Sequence, residues 1–313
     1  MRDLSGAEKQ VKVSIHADAD GHTGRECPKC EAYFKITFGT GRKGSDLPCH
    51  CPYCGHTSGQ NQFATKEQIE YAKSVALREV LQEFYDGLKT MEFETKPTSG
   101  FGIGISMKFE GGTLPPVQYY REKQLETEVL CENCTLKYMI YGVFAFCPDC
   151  GIHNSLQILN KNLDLAVKQV GLAAQVESDF SQHLISDALE NAVSSFDGFG
   201  REICRINAPK ATDQTKAEKI SFQNPMGART NFQQLFGKDF ARNIDPTDWE
   251  FISRCAQKRH LLAHKMGVVD EHYLTKTGDR AAIEGRKVQI IGDDVKRLAA
   301  CLRQLGQELF ASL

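Results

Sequence analysis

Eight of the twelve cysteines in this 313-residue chain stand in four C-x-x-C pairs. Two cysteines three positions apart in a tight turn can bind one metal ion, and two such turns close a tetrahedron of thiolates around it. The intervals between paired turns are 20 and 12 residues, and both suit zinc ribbons. The predicted ligands are Cys27, Cys30, Cys51 and Cys54 for one ion, and Cys131, Cys134, Cys147 and Cys150 for the other.

Four sulfur ligands leave no coordination position for water, so these two sites are predicted to be structural rather than catalytic. The predicted cofactors are two structural Zn²⁺ ions, with iron–sulfur ligation as the alternative that nothing else in the chain favours. Cys49 and His50 lie beside the first site, and we interpret them as loop neighbours rather than exchanged ligands. The isolated Cys204, Cys255 and Cys301 are expected in the core.

A second group with chemical potential is a pair of histidines beside an arginine. His260 and His264 are four positions apart, which places them on one face of a helix, and Arg259 is adjacent. Residues 201–265 hold 12 Lys and Arg against 7 Asp and Glu, in a chain whose formal charge is −2. Such a basic region is a plausible polyanion site. Spacing alone also fits two ordinary core or surface histidines, whereas Leu261 excludes the metalloprotease motif, which needs glutamate there.

A basic, glycine-rich loop at Gly39–Gly44 lies between the first two cysteine pairs. Aromatic residues Tyr33, Phe34 and Phe38 precede it, and a basic loop beside aromatic rings could contact the phosphates and bases of a nucleic acid. An ordinary solvated turn is the competing interpretation.

The elements that position these groups differ between the two halves of the chain. Alternating patterns predict strands at Tyr33–Phe38 and Leu136–Tyr141, between the paired knuckles, and a further strand at Phe101–Phe109. Helical spacing behind a capping-box pattern predicts one long helix over Thr65–Met91. From residue 155 onward the pattern is helical, and four principal helices make a bundle the economical solution.

The predicted fold class is α+β, with two small four-cysteine zinc-ribbon modules joined by a long helix and a strand and followed by a helical bundle. The longest apolar run is far short of the ~18 residues that span a bilayer, so no membrane association is expected. Regular reduced cysteine pairs and the lack of an apolar leader predict a cytoplasmic protein. The predicted domains are residues 1–62, 63–120, 121–154 and 155–313.

The helical half resembles a known family. Arg259, His260 and His264 match the R-x4–6-H motif of HEPN domains, in which a polar residue commonly follows the arginine. The resemblance covers about residues 155–313 and includes further segments in the order found in one HEPN-like subgroup. These segments are Lys219–Asn224, Trp249, Gly267–Tyr273 and Gly285–Val288.

The resemblance implies a homodimer whose motif helices face each other and, by analogy with many family members, a metal-independent endoribonuclease. His264 would be the general acid and base, Arg259 would stabilise charge on phosphorus, and His260 would orient the motif or contact RNA. Attack by the RNA 2′-OH would leave a 2′,3′-cyclic phosphate. The ribbons would recognise RNA or a regulatory protein partner, as in a toxin or an antiphage-defence effector. The alternative is a non-catalytic dimer that binds nucleic acid or protein.

Overall fold

The chain divides into two compact units, which a computed structural model describes over residues 11–44, 47–94 and 105–313. The N-terminal unit is Met1–Ile152 and the C-terminal unit is His153–Leu313. The fold is α+β as predicted, and within the described ranges all named strands belong to the N-terminal unit. None of the helices in these ranges is both long enough and apolar enough to cross a membrane.

A four-stranded antiparallel sheet with the order β1-β2-β8-β7 is the centre of the N-terminal unit. Strands β3 and β4 form a second small sheet, and β5 and β6 form a third. The elements are β1 (His22–Glu26), β2 (Tyr33–Thr37), β3 (Pro48–His50), β4 (Thr57–Gly59), α1 (Lys66–Lys89), β5 (Phe93–Glu94), β6 (Ser106–Met107), β7 (Thr127–Leu130) and β8 (Lys137–Ile140).

The predicted strands between the knuckles are confirmed as β2 and β8, and the long helix is confirmed as α1. Its capping box is complete, since Thr65 Oγ1 accepts from the Gln68 amide at 3.1 Å and Gln68 Oε1 accepts from the Thr65 amide at 3.2 Å. The strand predicted over Phe101–Phe109 is limited, within the described residues, to Ser106–Met107. Residues 101–104 of that prediction lie outside the described residues.

The two cysteine modules share one sheet and one core. In the β2–β8 pair, Lys35 lies opposite Met139 and Ile36 lies opposite Tyr138. Fully buried Phe34 and Tyr138 pack in a single cluster with cysteines of both tetrads. The sequence divided this one unit into three predicted domains, residues 1–62, 63–120 and 121–154. Pairing between strands about a hundred residues apart has no local sequence pattern from which it could be predicted.

The C-terminal unit is helical, and its long helices α2, α3 and α8 pack against one another. Helix α6 packs on α3 and α8, so the four principal helices are confirmed, while the short α4 and α7 were not predicted. The helices are α2 (Ser155–Ala173), α3 (Ser178–Asn207), α4 (Gln214–Ala217), α5 (Pro225–Phe236), α6 (Pro246–Lys265), α7 (Glu271–Thr277) and α8 (Gly292–Ser312).

A chain of aromatic contacts joins α3 to α5 and the segments around them. The Phe222 ring lies 5.9 Å from that of Phe196 and 5.7 Å from that of Phe240, all three fully buried. Gly200 on α3 makes room for this ring, because a Cβ atom there would lie 2.5 Å from the Phe222 side chain. This packing fixes the segment before α5, which contributes to the site described below.

Candidate functional site

The eight predicted cysteine ligands come together as two tetrads, each with all four Sγ atoms within 4.8 Å of one another. A tetrahedral ion with Zn–S bonds of ~2.3 Å requires sulfur separations of ~3.8 Å, so both tetrads fit a metal ion without rearrangement. The closest Sγ–Sγ distances are 3.8 Å for Cys27–Cys54, 3.6 Å for Cys30–Cys51, 3.6 Å for Cys131–Cys150 and 3.5 Å for Cys134–Cys147.

Each cysteine pair is shaped by a left-handed residue directly after its second cysteine. Gly55 and Gly151 occupy this position in two knuckles, with φ of 67° and 72°. In the other two it is taken by Glu31 (φ 57°) and Thr135 (φ 63°), which lack the freedom of glycine. Backbone strain of order 1–3 kcal/mol persists where surrounding structure enforces it, and closing the sulfur tetrahedron supplies that constraint here.

The two tetrads are linked by reciprocal backbone hydrogen bonds. The His50 amide donates to the Pro148 carbonyl at 2.8 Å, and the Phe146 amide donates to the Pro52 carbonyl at 2.8 Å. In each module the donor directly precedes the first cysteine of the second pair, and the acceptor directly follows it. The modules therefore face each other in an approximately twofold arrangement.

The remaining cysteines are not ligands. Cys49 is buried beside the first tetrad but is not part of it, as predicted, and its burial raises the pKa of its thiol to about 12. Cys204, Cys255 and Cys301 are buried in the helical core, also as predicted. Burial raises the pKa of Cys204 and Cys255 to about 12, so these thiols stay protonated and unreactive at neutral pH.

The histidine pair lies near the end of α6, whose boundaries follow its caps. Asp245 caps the first turn by accepting from the Thr247 amide at 2.8 Å, and the helix ends where Met266 takes a left-handed φ of 55°. Lys258 points into the core, where its Nζ donates to the Gln289 carbonyl at 2.9 Å. Of the two candidates that follow it, Arg259 is half-buried and His260 is exposed.

Arg259 retains unused hydrogen-bonding capacity. Its Nη1 donates to Gln223 Oε1 at 3.4 Å, which is long for a hydrogen bond, and its buried Nε has no hydrogen-bond partner. A buried polar atom without a partner costs free energy, and an anion beside Arg259 could accept a hydrogen bond from this atom.

Gln223 is positioned by a buried carboxylate that the sequence did not single out. Asp197 on α3 accepts from the Phe222 amide at 2.6 Å and from Ser221 Oγ at 3.1 Å. It also accepts from Arg201 Nε at 2.9 Å. Its position on the apolar side of a predicted helix could have indicated this role, because a buried carboxylate needs hydrogen-bond donors around it.

A cavity of about 890 Å³ opens beside these residues and is strongly basic. Arg259 and His260 line it, whereas His264 is not part of its lining. The His264 ring instead contacts that of His260, with centroids 4.8 Å apart, and is exposed. Other basic residues that were not predicted as site residues also line it, two of them on the unpredicted α7; these are Lys216, Lys219, His272 and Lys276.

The electrostatics of the cavity keep His260 neutral. Partial desolvation lowers the pKa of His260, and electrostatic interactions with His264, His272 and Lys265 lower it further, while Asp270 opposes them. Lys265 is itself paired with Asp270 through a direct hydrogen bond. A histidine with a pKa below its ordinary ~6.5 is an acceptor of protons at pH 7.

Comparison of the chain with protein-family models, with curated proteins and with solved structures finds no match.

Proposed function

We propose that this protein is a metal-independent endoribonuclease of the HEPN type, with two structural Zn²⁺ ions in its N-terminal unit. The observation that carries the proposal is the basic cavity in which Arg259, with unsatisfied donors, lies beside a neutral His260. Phosphate oxygens match the planar guanidinium of arginine, and the His260 imidazole beside it can contact the RNA, as the motif implies.

The reaction would be an internal phosphoryl transfer. A ribose 2′-OH attacks the adjacent phosphorus as a histidine accepts its proton, and the bond from phosphorus to the 5′ oxygen breaks as that oxygen receives a proton. The products are a 2′,3′-cyclic phosphate and a 5′-OH. His264 and Arg259 would act as predicted from the motif, with Arg259 stabilising the negative charge that builds on phosphorus.

The surrounding charges favour a polyanion in this cavity. Lys219 and Lys276 line it and form no ion pair in the ranges that the structure describes, so their charge is available to phosphates. Lys216 is paired with Asp213 at 3.3 Å. The remaining lining residues add no further carboxylate.

A second RNA contact is proposed at the loop between β2 and β3. Phe38 is 56% exposed, and the Arg25 guanidinium lies 5.3 Å from its ring centre. These residues line a cavity of about 470 Å³ together with Arg42 and Lys43. An exposed aromatic ring beside basic side chains is suited to stack one base and bind the neighbouring phosphates.

A homodimer would complete the site in the C-terminal unit. His264 is exposed outside the cavity of its own chain, so a facing motif helix could bring a second histidine to the same phosphate. The same observation favours the alternative function, a non-catalytic dimer that binds RNA or a protein through the basic cavity.

The test is cleavage of end-labelled RNA by the purified full chain in the presence of EDTA. We expect a cyclic phosphate on the 5′ product. We expect no cleavage where a 2′-deoxynucleotide replaces the nucleotide whose 2′-OH would attack. His264→Ala should reduce the rate by ~10²–10⁴-fold. The matched control is His183→Ala, which removes another exposed histidine, on α3.

Unfolding curves and elution volumes that match wild type would show that a lost activity reflects chemistry rather than folding or assembly. Intact RNA with wild-type protein, combined with salt-sensitive RNA binding that Arg259→Ala weakens, would establish the non-catalytic alternative instead. Cleavage undiminished by His264→Ala would contradict the proposed mechanism.

A further inference from the structure

Three tyrosines of the N-terminal unit form the walls of a cavity that neither the metal sites nor the RNA contact uses. Tyr71 belongs to α1, and its ring centroid lies 6.0 Å from that of Tyr119 and 5.7 Å from that of Tyr120. The Tyr71 and Tyr120 rings meet edge to face at 63°. All three line a cavity of about 410 Å³.

The segment that carries Tyr119 and Tyr120 is held along α1 by polar contacts on both sides of the cavity. Before the tyrosines, Arg78 Nη1 donates to the Pro115 carbonyl at 3.0 Å, and the Gln118 amide donates to Ser74 Oγ at 3.0 Å. After them, Gln68 Nε2 donates to Glu122 Oε1 at 3.3 Å. The segment that carries the two rings is therefore held against α1 before any ligand binds.

Residues 68, 71, 74 and 78 of α1 follow one another at helical spacings of three or four, so they lie on one face of the helix. That face carries both the anchoring side chains and the central ring of the cluster. Rigid placement of this kind reduces the entropy that a ligand must overcome on binding.

Two carboxylates line the same cavity. Asp18 is already neutralised, because the buried Lys35 donates to its Oδ2 at 2.7 Å. Glu122 accepts hydrogen bonds from Tyr33 and Gln68, and no Lys, Arg or His nitrogen lies within 4 Å of it among the described residues. Its negative charge acts on Arg25 and can also attract a cation that enters the cavity, which the exposed Arg121 lines as well.

We propose that this cavity binds a methylated ammonium group. Cations are attracted to the faces of aromatic rings, and quaternary ammonium ions suit such sites because they carry no N–H donors that would need acceptors. A phosphate or a nucleic acid fits less well, since Glu122 would repel it. The inference is independent of the proposed ribonuclease site around Arg259, which belongs to the other unit.

The test is a titration of the full-length protein with choline, followed by calorimetry and by NMR of the tyrosine rings. The reference ligand is 3,3-dimethylbutan-1-ol, which has the same shape as choline and no charge. We expect choline to bind and the neutral analogue to bind much more weakly. A trimethyllysine peptide tested beside choline distinguishes a protein ligand from a small amine by which of the two binds more tightly.

Tyr119 is 82% exposed, so Tyr119→Leu should leave the fold unchanged while weakening choline binding by between ~2-fold and ~30-fold. Tyr119→Phe keeps the aromatic face and should bind nearly as wild type. Glu122→Gln should weaken binding, and Arg121→Ala should maintain or improve it. The matched control is Phe84→Leu, because Phe84 is a 55% exposed aromatic residue of α1 outside the cavity.

Three results would overturn the proposal. The first is the absence of any choline binding at large excess by calorimetry and NMR. The second is equal affinity for the neutral analogue, which would describe a merely apolar cavity. The third is binding of a short oligonucleotide that Arg121→Ala weakens, which would assign the rings to base stacking.

Discussion

Single side chains of α6 differ in role because of the direction in which each one points. The Lys258 side chain is buried and donates hydrogen bonds to the Gln289 carbonyl and to Asp294. Arg259, the next residue, lines the cavity with an unsatisfied Nε. Of the two histidines, only His260 lines the cavity. The proposed chemistry thus depends on the neighbours of each side chain. The pKa of His260 reports directly on the charges around it.

The first prediction concerns the titration of His260. Because burial and the charges of His264 and His272 lower its pKa, its NMR midpoint should lie below the ordinary ~6.5. His264→Gln removes one of these charges and should raise the midpoint, while His183→Gln, a distant exposed histidine, should leave it unchanged. A midpoint at or above ~6.5 in the wild type would contradict the prediction.

The second prediction concerns a buried charge network at Glu202. Burial opposes ionisation of Glu202, but Arg205, with two hydrogen bonds of 2.7 Å, and His153 at 3.3 Å outweigh it and lower the pKa of this carboxyl to about 2. A carboxyl whose pKa is lower in the folded than in the unfolded state stabilises the folded protein at every pH above the unfolded pKa of ~4.3. This stabilisation is lost as the pH falls towards the folded pKa of about 2.

We expect Glu202→Gln to reduce the free energy of unfolding at pH 7 by about 2–3 kcal/mol and to remove this part of the acid dependence. Urea unfolding between pH 7 and pH 3 measures both effects. Glu250→Gln is the matched control, since Glu250 is exposed and forms no ion pair within the described residues. Equal pH dependence of Glu202→Gln and wild type would refute the assigned role.

At the scale of elements, the packing of α3 against the segment before α5 positions the cavity wall. Gly200 admits the Phe222 ring, and Asp197 bonds the Phe222 amide from the same helix. The next residue, Gln223, then reaches Arg259. A small residue and a carboxylate three positions apart on α3 thus hold a loop that has no regular structure of its own.

The third prediction compares two glycines of α3. In Gly200→Ala the new methyl group would lie 2.5 Å from the Phe222 ring, so overpacking should cost about 1–3 kcal/mol and loosen the loop. In Gly198→Ala the new methyl group would have no heavy atom within 4 Å, so this variant should stabilise the helix by about 0.5–1 kcal/mol. Thermal unfolding of both variants measures the difference, and equal effects would show that the Phe222 contact is not restrictive.

At the scale of the whole molecule, the two cysteine modules of the N-terminal unit form one structure rather than two independent domains. The β2–β8 pairing and the reciprocal bonds of His50 and Phe146 join the tetrads. Both tetrads contribute cysteines to the same hydrophobic cluster. Loss of one ion should therefore weaken the environment of the other.

The fourth prediction is that the two metal sites unfold together. The protein should bind two Zn²⁺ ions, and Cys30→Ser or Cys134→Ser should each lower the stability of the same cooperative transition. Metal content by atomic absorption and unfolding followed by circular dichroism provide the measurements. Cys49→Ser, outside both tetrads, should keep two ions. Separate transitions that respond to only one variant each would contradict the prediction.

The sequence by itself determined the two cysteine tetrads, the long helices and the capping box of α1. These features are local, since ligand spacing, helical periodicity and the Thr65 capping box each involve residues a few positions apart. The sequence also indicated the motif of Arg259, His260 and His264 on α6.

Tertiary structure alone decided the shared sheet, the cavity and the tyrosine cluster. Strand β2 pairs with β8 and the Tyr71 ring lies beside that of Tyr119 across long stretches of chain, and residues from four helices and loops line the cavity beside Arg259. Such pairings are stabilised by the packing of many side chains together, and no short pattern encodes them. For the same reason the orientation of Lys258 towards the core and of Arg259 towards the cavity became apparent only when the neighbouring helices were in place.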